Sequence, residues 1–136
     1  MEENRYTSLV CLRLGKGEVM SSENFSKLEV YNFNFSVPEK VKVTDVLGGE
    51  SLVVVGMFLA GKGSFSLKGG SSSEVSFTLT EGIPVVLPPS DPMLNGPGWF
   101  FVEGGEEVEF SVELSGSGAI ASGVILYRTY PSYLRW

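Results

Sequence analysis

The densest group of side chains able to do chemistry is the run Glu106, Glu107, Glu109 and Glu113. Carboxylates grouped this way can bind calcium or act as an acid/base couple. The residues between them point to a blander role. Val108, Phe110, Val112 and Leu114 alternate with Glu107, Glu109, Ser111 and Glu113, so the glutamates take the wet face of an amphipathic strand. Calcium loops also draw on Asp, and this chain has only Asp45 and Asp91. Ser90 and Asp91 stand near Asn95 in a Pro-rich stretch, but a serine nucleophile needs a base and the chain has no histidine. Asp91 before Pro92 therefore reads as a turn former. Lack of histidine also removes the metal-binding cupins and most zinc chemistry. A glycosidase built on two Glu would find little room for a cleft in so small a domain. The expectation is a protein that is not an enzyme, with no catalytic residue, no metal and no cofactor.

The aromatic residues offer binding chemistry instead. Trp99 and Phe101 share a face if they lie on one strand, and Phe100 takes the other. Such a pair suits a sugar-stacking platform, a core, or a subunit contact. Near the C-terminus stand Tyr127, Tyr130, Tyr133, Leu134 and Trp136, an aromatic tail where a polar, frayed end is the norm. Docking of that tail, on this domain or a neighbour, is expected. Asn24-Phe25-Ser26 and Asn34-Phe35-Ser36 match the short N-glycosylation pattern, which recurs often by chance. Cys11 is single and flanked by apolar residues, so it reads as a buried inert thiol, with no intramolecular disulfide.

Composition narrows the classes. The net charge of −6 repels phosphate backbones, which argues against direct nucleic-acid binding. Hydrophobic residues make up 43% and mean hydropathy is +0.14, which hints at apolar surface meant for a partner. Glu abounds while glutamine and histidine are missing, a composition reported for hyperthermophiles. The start, Met1 to Tyr6, lacks the basic region of a signal peptide. The longest apolar run, Leu52 to Ala60, falls short of the ~20 residues of a membrane span. A soluble protein made in the cytosol is expected.

The elements that must position these residues are strands. Seventeen Gly and seven Pro punctuate short apolar runs, and no stretch carries a capped helical period. Tyr6 to Leu14 reads as a first strand. Lys27 to Val37 places Tyr31, Phe33 and Phe35 on one face, with a bulge or two-sided burial where Leu28 and Val30 fall on the other. Val41 and Val43 mark a short strand. Ser51 to Ala60 is apolar on both faces, a central strand covered from two sides. Gly61-Lys62-Gly63 reads as a turn into Ser64 to Leu67, and Glu74 to Thr80 alternates cleanly. A short strand at Ile83 to Leu87, the loop Pro88 to Gly98 and a strand from Trp99 follow. Glu106 to Tyr130 reads as a long hairpin, with Ser115 to Gly118 supplying positive-φ residues for its turn. The chain is expected to be one all-β domain over 1–136, a two-sheet antiparallel β-sandwich of about eight strands. Within it, 1–26 is an N-terminal strand and loop, 27–130 the core, and 131–136 the aromatic tail.

This run of strands resembles a single jelly roll of the kind found in viral capsid proteins, and the composition is similar to that of proteins from viruses of thermophilic archaea. The resemblance is architectural and covers about three quarters of the chain. It implies a structural virion protein, a homo-oligomer tiling an icosahedral shell by self-association, alone or with other virion proteins. Small RNA-virus coats carry a basic arm, whereas residues 1–17 hold Arg5, Arg13 and Lys16 against Glu2 and Glu3. The departure fits a coat that does not grip its genome, such as that of a double-stranded DNA virus with an internal membrane beneath the shell. On that resemblance the subunit contacts are expected at Tyr130, Tyr133, Leu134, Trp136, Trp99 and Phe101. The alternative is a small carbohydrate-binding module anchored on Trp99.

Overall fold

The computed structural model describes residues 27–70, 73–94 and 96–134. The expected strand Tyr6 to Leu14, with Cys11, Asn24, Asn95 and Trp136, lies outside them. Among the described residues seven strands form: β1 (Lys27–Phe35), β2 (Glu39–Asp45), β3 (Glu50–Gly69), β4 (Ser73–Leu79), β5 (Val85–Leu87), β6 (Phe100–Glu103) and β7 (Glu109–Pro131). Helical geometry is confined to the 3-10 turns Pro92–Leu94 and Ser132–Leu134 among the described residues.

All pairing is antiparallel, and β3 and β7 run side by side for nearly their whole length. The N-terminal half of β3 pairs with the C-terminal half of β7, Glu50 to Lys62 against Pro131 to Ile120. The pairing resumes as Ser64 to Gly69 against Ser115 to Phe110. Between the two stretches β3 advances by two residues while β7 gives up five, a wide bulge that bends both strands. The other strands are divided by the same bend. β1 pairs with Ala121 to Thr129 and β2 with Glu109 to Leu114, joined through Ser36 to Pro38. β5 and β6 pair with the first half of β3, and β4 with its second half. One continuous sheet thus folds double into two layers. The first reads β1, β7, β3, β5/β6, and the second β2, β7, β3, β4. Two bent strands, β3 and β7, flanked by β1 and β2 on one side and by β4 and β5/β6 on the other, give the eight arms of a jelly roll.

Two turns expected from the sequence are corners instead. Ser115 to Gly118 does not reverse the chain, and the arms on either side of it pair with β3, not with each other. Gly61 to Gly63, opposite, is likewise continuous strand. Positive φ is needed in both cases, 117° at Gly116 and 116° at Gly63, because a corner and a hairpin make the same local demand. Contact across the corner adds a second demand. A Cβ on Gly61 would lie 2.0 Å from the Ile120 carbonyl oxygen, and one on Gly63 would lie 2.5 Å from the Ala119 Cβ.

The core lies between the layers and follows the expected parities. Phe110, Val112 and Leu114 point inward from the second layer, and Ala121 and Ile125 from the first. Val108 is half-buried, just before β7 begins. Phe65 is fully buried, with Phe33 stacked on it at 5.1 Å and Phe35 at 6.2 Å, so β1 and the second half of β3 meet ring to ring. Phe110 closes the far end against Phe100 and Tyr127. The expected bulge in β1 is absent: its register with β7 is unbroken, and Leu28 and Val30 simply face out.

Candidate functional site

The outward faces of the two layers differ in chemistry. On the second layer, Lys40, Glu113, Ser66 and Ser76 form one row, and Lys42, Ser111, Lys68 and Glu74 the next. Opposite charges meet across the strands. Lys68 Nζ lies 2.6 Å from Glu113 Oε1, and Lys42 Nζ lies 3.2 Å from Asp45 and 4.0 Å from Glu109. The hydrogen bond to Lys68 holds the Glu113 carboxyl below its usual range, and the same bond raises Lys68. Glu107 and Glu109 border a shallow depression of about 280 Å³ with Lys40, Gly70 and Ser111. The glutamate run is therefore dispersed into ion pairs and solvent. Among the described residues no group of three or more metal-ligating side chains converges.

The outward face of the first layer carries an apolar patch, edged by Asn32, Asn34 and Ser122. Register places Val30 beside Leu126, and Val124 beside Phe58, which in turn sits beside Val86. Val30 and Val86 are each 55% exposed and Phe58 is 45% exposed. At one end of this face the segment from Pro88 to Trp99 folds over it. Beneath lie Val53, Val55 and Tyr130, packed with Phe101 and Leu126 in a second small core. Burial of β3 on both faces, read from its sequence, has this origin at its first half.

Asp91 holds the covering segment in place. Its carboxylate accepts from Arg128 Nε at 3.0 and 2.8 Å and from Nη2 at 2.8 Å, and both side chains are largely shielded from water. The same carboxylate accepts the Met93 amide at 3.0 Å, and the Asp91 carbonyl accepts the amides of Leu94 and Gly96. The turn-forming role read from sequence is present, and the ion pair is added to it. Ser90 donates its amide to Val55, and its hydroxyl accepts from the Gly98 amide. Trp99 donates its amide to Val54 and its indole N–H to the Pro88 carbonyl at 2.8 Å.

The expected contact residues separate on this frame. Tyr130 is buried within its own domain, in the second core. Phe101 is half-buried there too, whereas Trp99, just before β6, is 44% exposed. Tyr133 is 76% exposed on the closing 3-10 turn, which is tied down by the Ser132 amide donating to Gly49 and by the Ser51–Ser132 hydroxyl contact at 3.0 Å. Leu134 ends that turn. Sequence reasoning missed Val30, Phe58, Val86 and Val124 as a surface. The signal was there in the second arm of β7, apolar on both parities.

No family model matches the chain, and no curated protein matches it. Among solved structures, a chain described under Bacillus endospore appendages, "a novel family of disulfide-linked pili", aligns with a TM-score of 0.39 and 12% identity. The alignment covers 79% of this chain and 88% of that one. A likeness at that level carries no argument about function. Among the described residues, no helix is long and apolar enough to cross a membrane.

Proposed function

We propose that this chain is a structural, non-catalytic subunit that self-associates into a protein shell of the viral capsid kind. One observation carries the reading: an apolar row of exposed Phe58 and Val86 with half-buried Val124 between Phe58 and β1, and exposed Val30 alongside, on a chain of net charge −6. Exposed apolar surface set among polar rims is the mark of a protein contact, and a soluble monomer gains nothing by keeping it wet. The jelly-roll winding supports the capsid form of the reading by analogy of architecture, since this fold hosts shells and lectins alike. Positive charge on the second layer is matched by Glu113, Glu109 and Asp45, which favours contacts with protein over nucleic acid. The carbohydrate-binding alternative draws less support, because Phe101 packs into the second small core and leaves Trp99 as the exposed ring of the pair.

Particle mass tests the proposal. Light scattering and electron microscopy of the purified protein should show assemblies of megadalton size. A monomer at all concentrations that is retained on a polysaccharide column would replace this reading with the binding module.

A further inference from the structure

We infer that a second copy of this chain docks on the apolar outward face of the first layer, turned end for end along the strands. The inference rests on the self-association proposed above and names its surface and geometry. Three features of the face make it complementary to itself in that orientation.

The first is charge. Glu103 sits at one end, beside Ser51, and exposed Lys62 lies eleven residues further along β3, roughly 35 Å at about 3.3 Å per residue. Between them, the described outward residues hold no formal charge except Arg128 and Asp91, which neutralise each other. Two copies meeting in the same direction would set Lys62 against Lys62. Turned end for end, each Lys62 approaches the Glu103 end of its partner. A chain with a net charge of −6 meets its own copy at least cost through such a face.

The second feature is relief. The Pro88 to Trp99 segment stands proud over the Glu103 end, and Leu94 at its 3-10 turn is 75% exposed. At the other end lies a shallow depression of about 230 Å³, lined by Asn34, Ala60, Ile120 and Ser122. A two-fold axis lying across the strands near Phe58 and Val124 puts each raised segment over the partner's low end. Leu94 then has a depression to enter, and the contact is isologous, the commonest form in homo-oligomers. The third feature is the apolar row itself, which that axis superposes on its copy, Phe58 and Val124 against the same residues.

Site-directed cross-linking tests the arrangement on the full chain. In a Cys11→Ser background, Ala60→Cys and Leu94→Cys are introduced together and mildly oxidised. A covalent dimer is expected on a non-reducing gel, and adding Phe58→Glu should abolish it and raise the self-dissociation constant by more than about tenfold. Thr78→Glu, on the polar face, should change neither. Far-UV circular dichroism and the denaturant midpoint establish that each variant is folded. If Phe58→Glu breaks association but the cysteines never cross-link, the end-for-end geometry is wrong and self-association stands. If association survives Phe58→Glu, this face is not the contact. A wild-type chain that stays monomeric at all concentrations overturns the inference and the proposed function together.

Discussion

Both layers of this sandwich point Phe, Leu and Val into one core, yet their outward faces are made differently. The second layer is finished with Lys, Glu, Ser and Thr in matched rows, and the first with Val, Phe and Leu, part of it hidden under a loop. A single strand shows both styles. β7 alternates Glu109, Ser111 and Glu113 with apolar residues before the corner, then carries Val124 and Leu126 outward after it. The core alone does not require that change. On the proposed reading, one face is finished for water and the other for protein.

The largest expected effect comes from placing a charge on each face in turn. Val53→Asp, under the covering segment, buries a second carboxylate beside an Arg128 already paired with Asp91, and should cost on the order of 3–5 kcal/mol in chemical denaturation. Thr78→Asp on the exposed polar face should stay within about 0.5 kcal/mol. Equal costs would erase the distinction between the faces.

Next is the tie that holds the cover. Asp91→Ala leaves Arg128 without that carboxylate and frees the amide of Met93, a loss of about 1–3 kcal/mol. Tryptophan emission should shift to the red as the segment bearing Trp99 loosens. An unchanged midpoint and spectrum would show that the segment stays down without Asp91.

A smaller, pH-dependent effect belongs to the shared core. Burial pushes the Tyr127 hydroxyl above its ordinary 10.0, and the nearby Glu29 adds to the rise. The unfolded chain therefore ionises first. Its contribution is intact below about pH 10 and is lost as pH climbs through the raised value. Tyr127→Phe should flatten the alkaline decline in stability seen by thermal melting. The smallest effect is Glu109→Gln, a change of under about 0.5 kcal/mol in the denaturant midpoint. A larger loss, or calcium binding by calorimetry, would give the glutamate run a role it does not have in this account.

Much of the fold was legible because strand parity is a local signal. Phe110, Val112 and Leu114 had to share a face whatever they packed against, and so did Tyr31, Phe33 and Phe35. The corners were not legible. A positive φ at Gly116 or Gly63 serves a reversal and a bulge equally, and only the partner strand decides which forms. The cover on the first layer was legible by half: the sequence read two-sided burial over Ser51 to Ala60, which holds through Met57 and fails at exposed Phe58. What does the covering depends on a pair thirty-seven residues apart, Asp91 and Arg128, which no spacing rule joins. The bare row Val124, Phe58 and Val86 was hidden for the same reason, since it comes from three strands and exists only in register.

Sedimentation velocity across a range of concentrations, on the wild type beside Phe58→Glu and Thr78→Glu, tests the central claim most directly. The account predicts that the wild type and Thr78→Glu sediment as large assemblies and that Phe58→Glu, still folded, sediments as a much smaller species. Identical sedimentation of all three would contradict it.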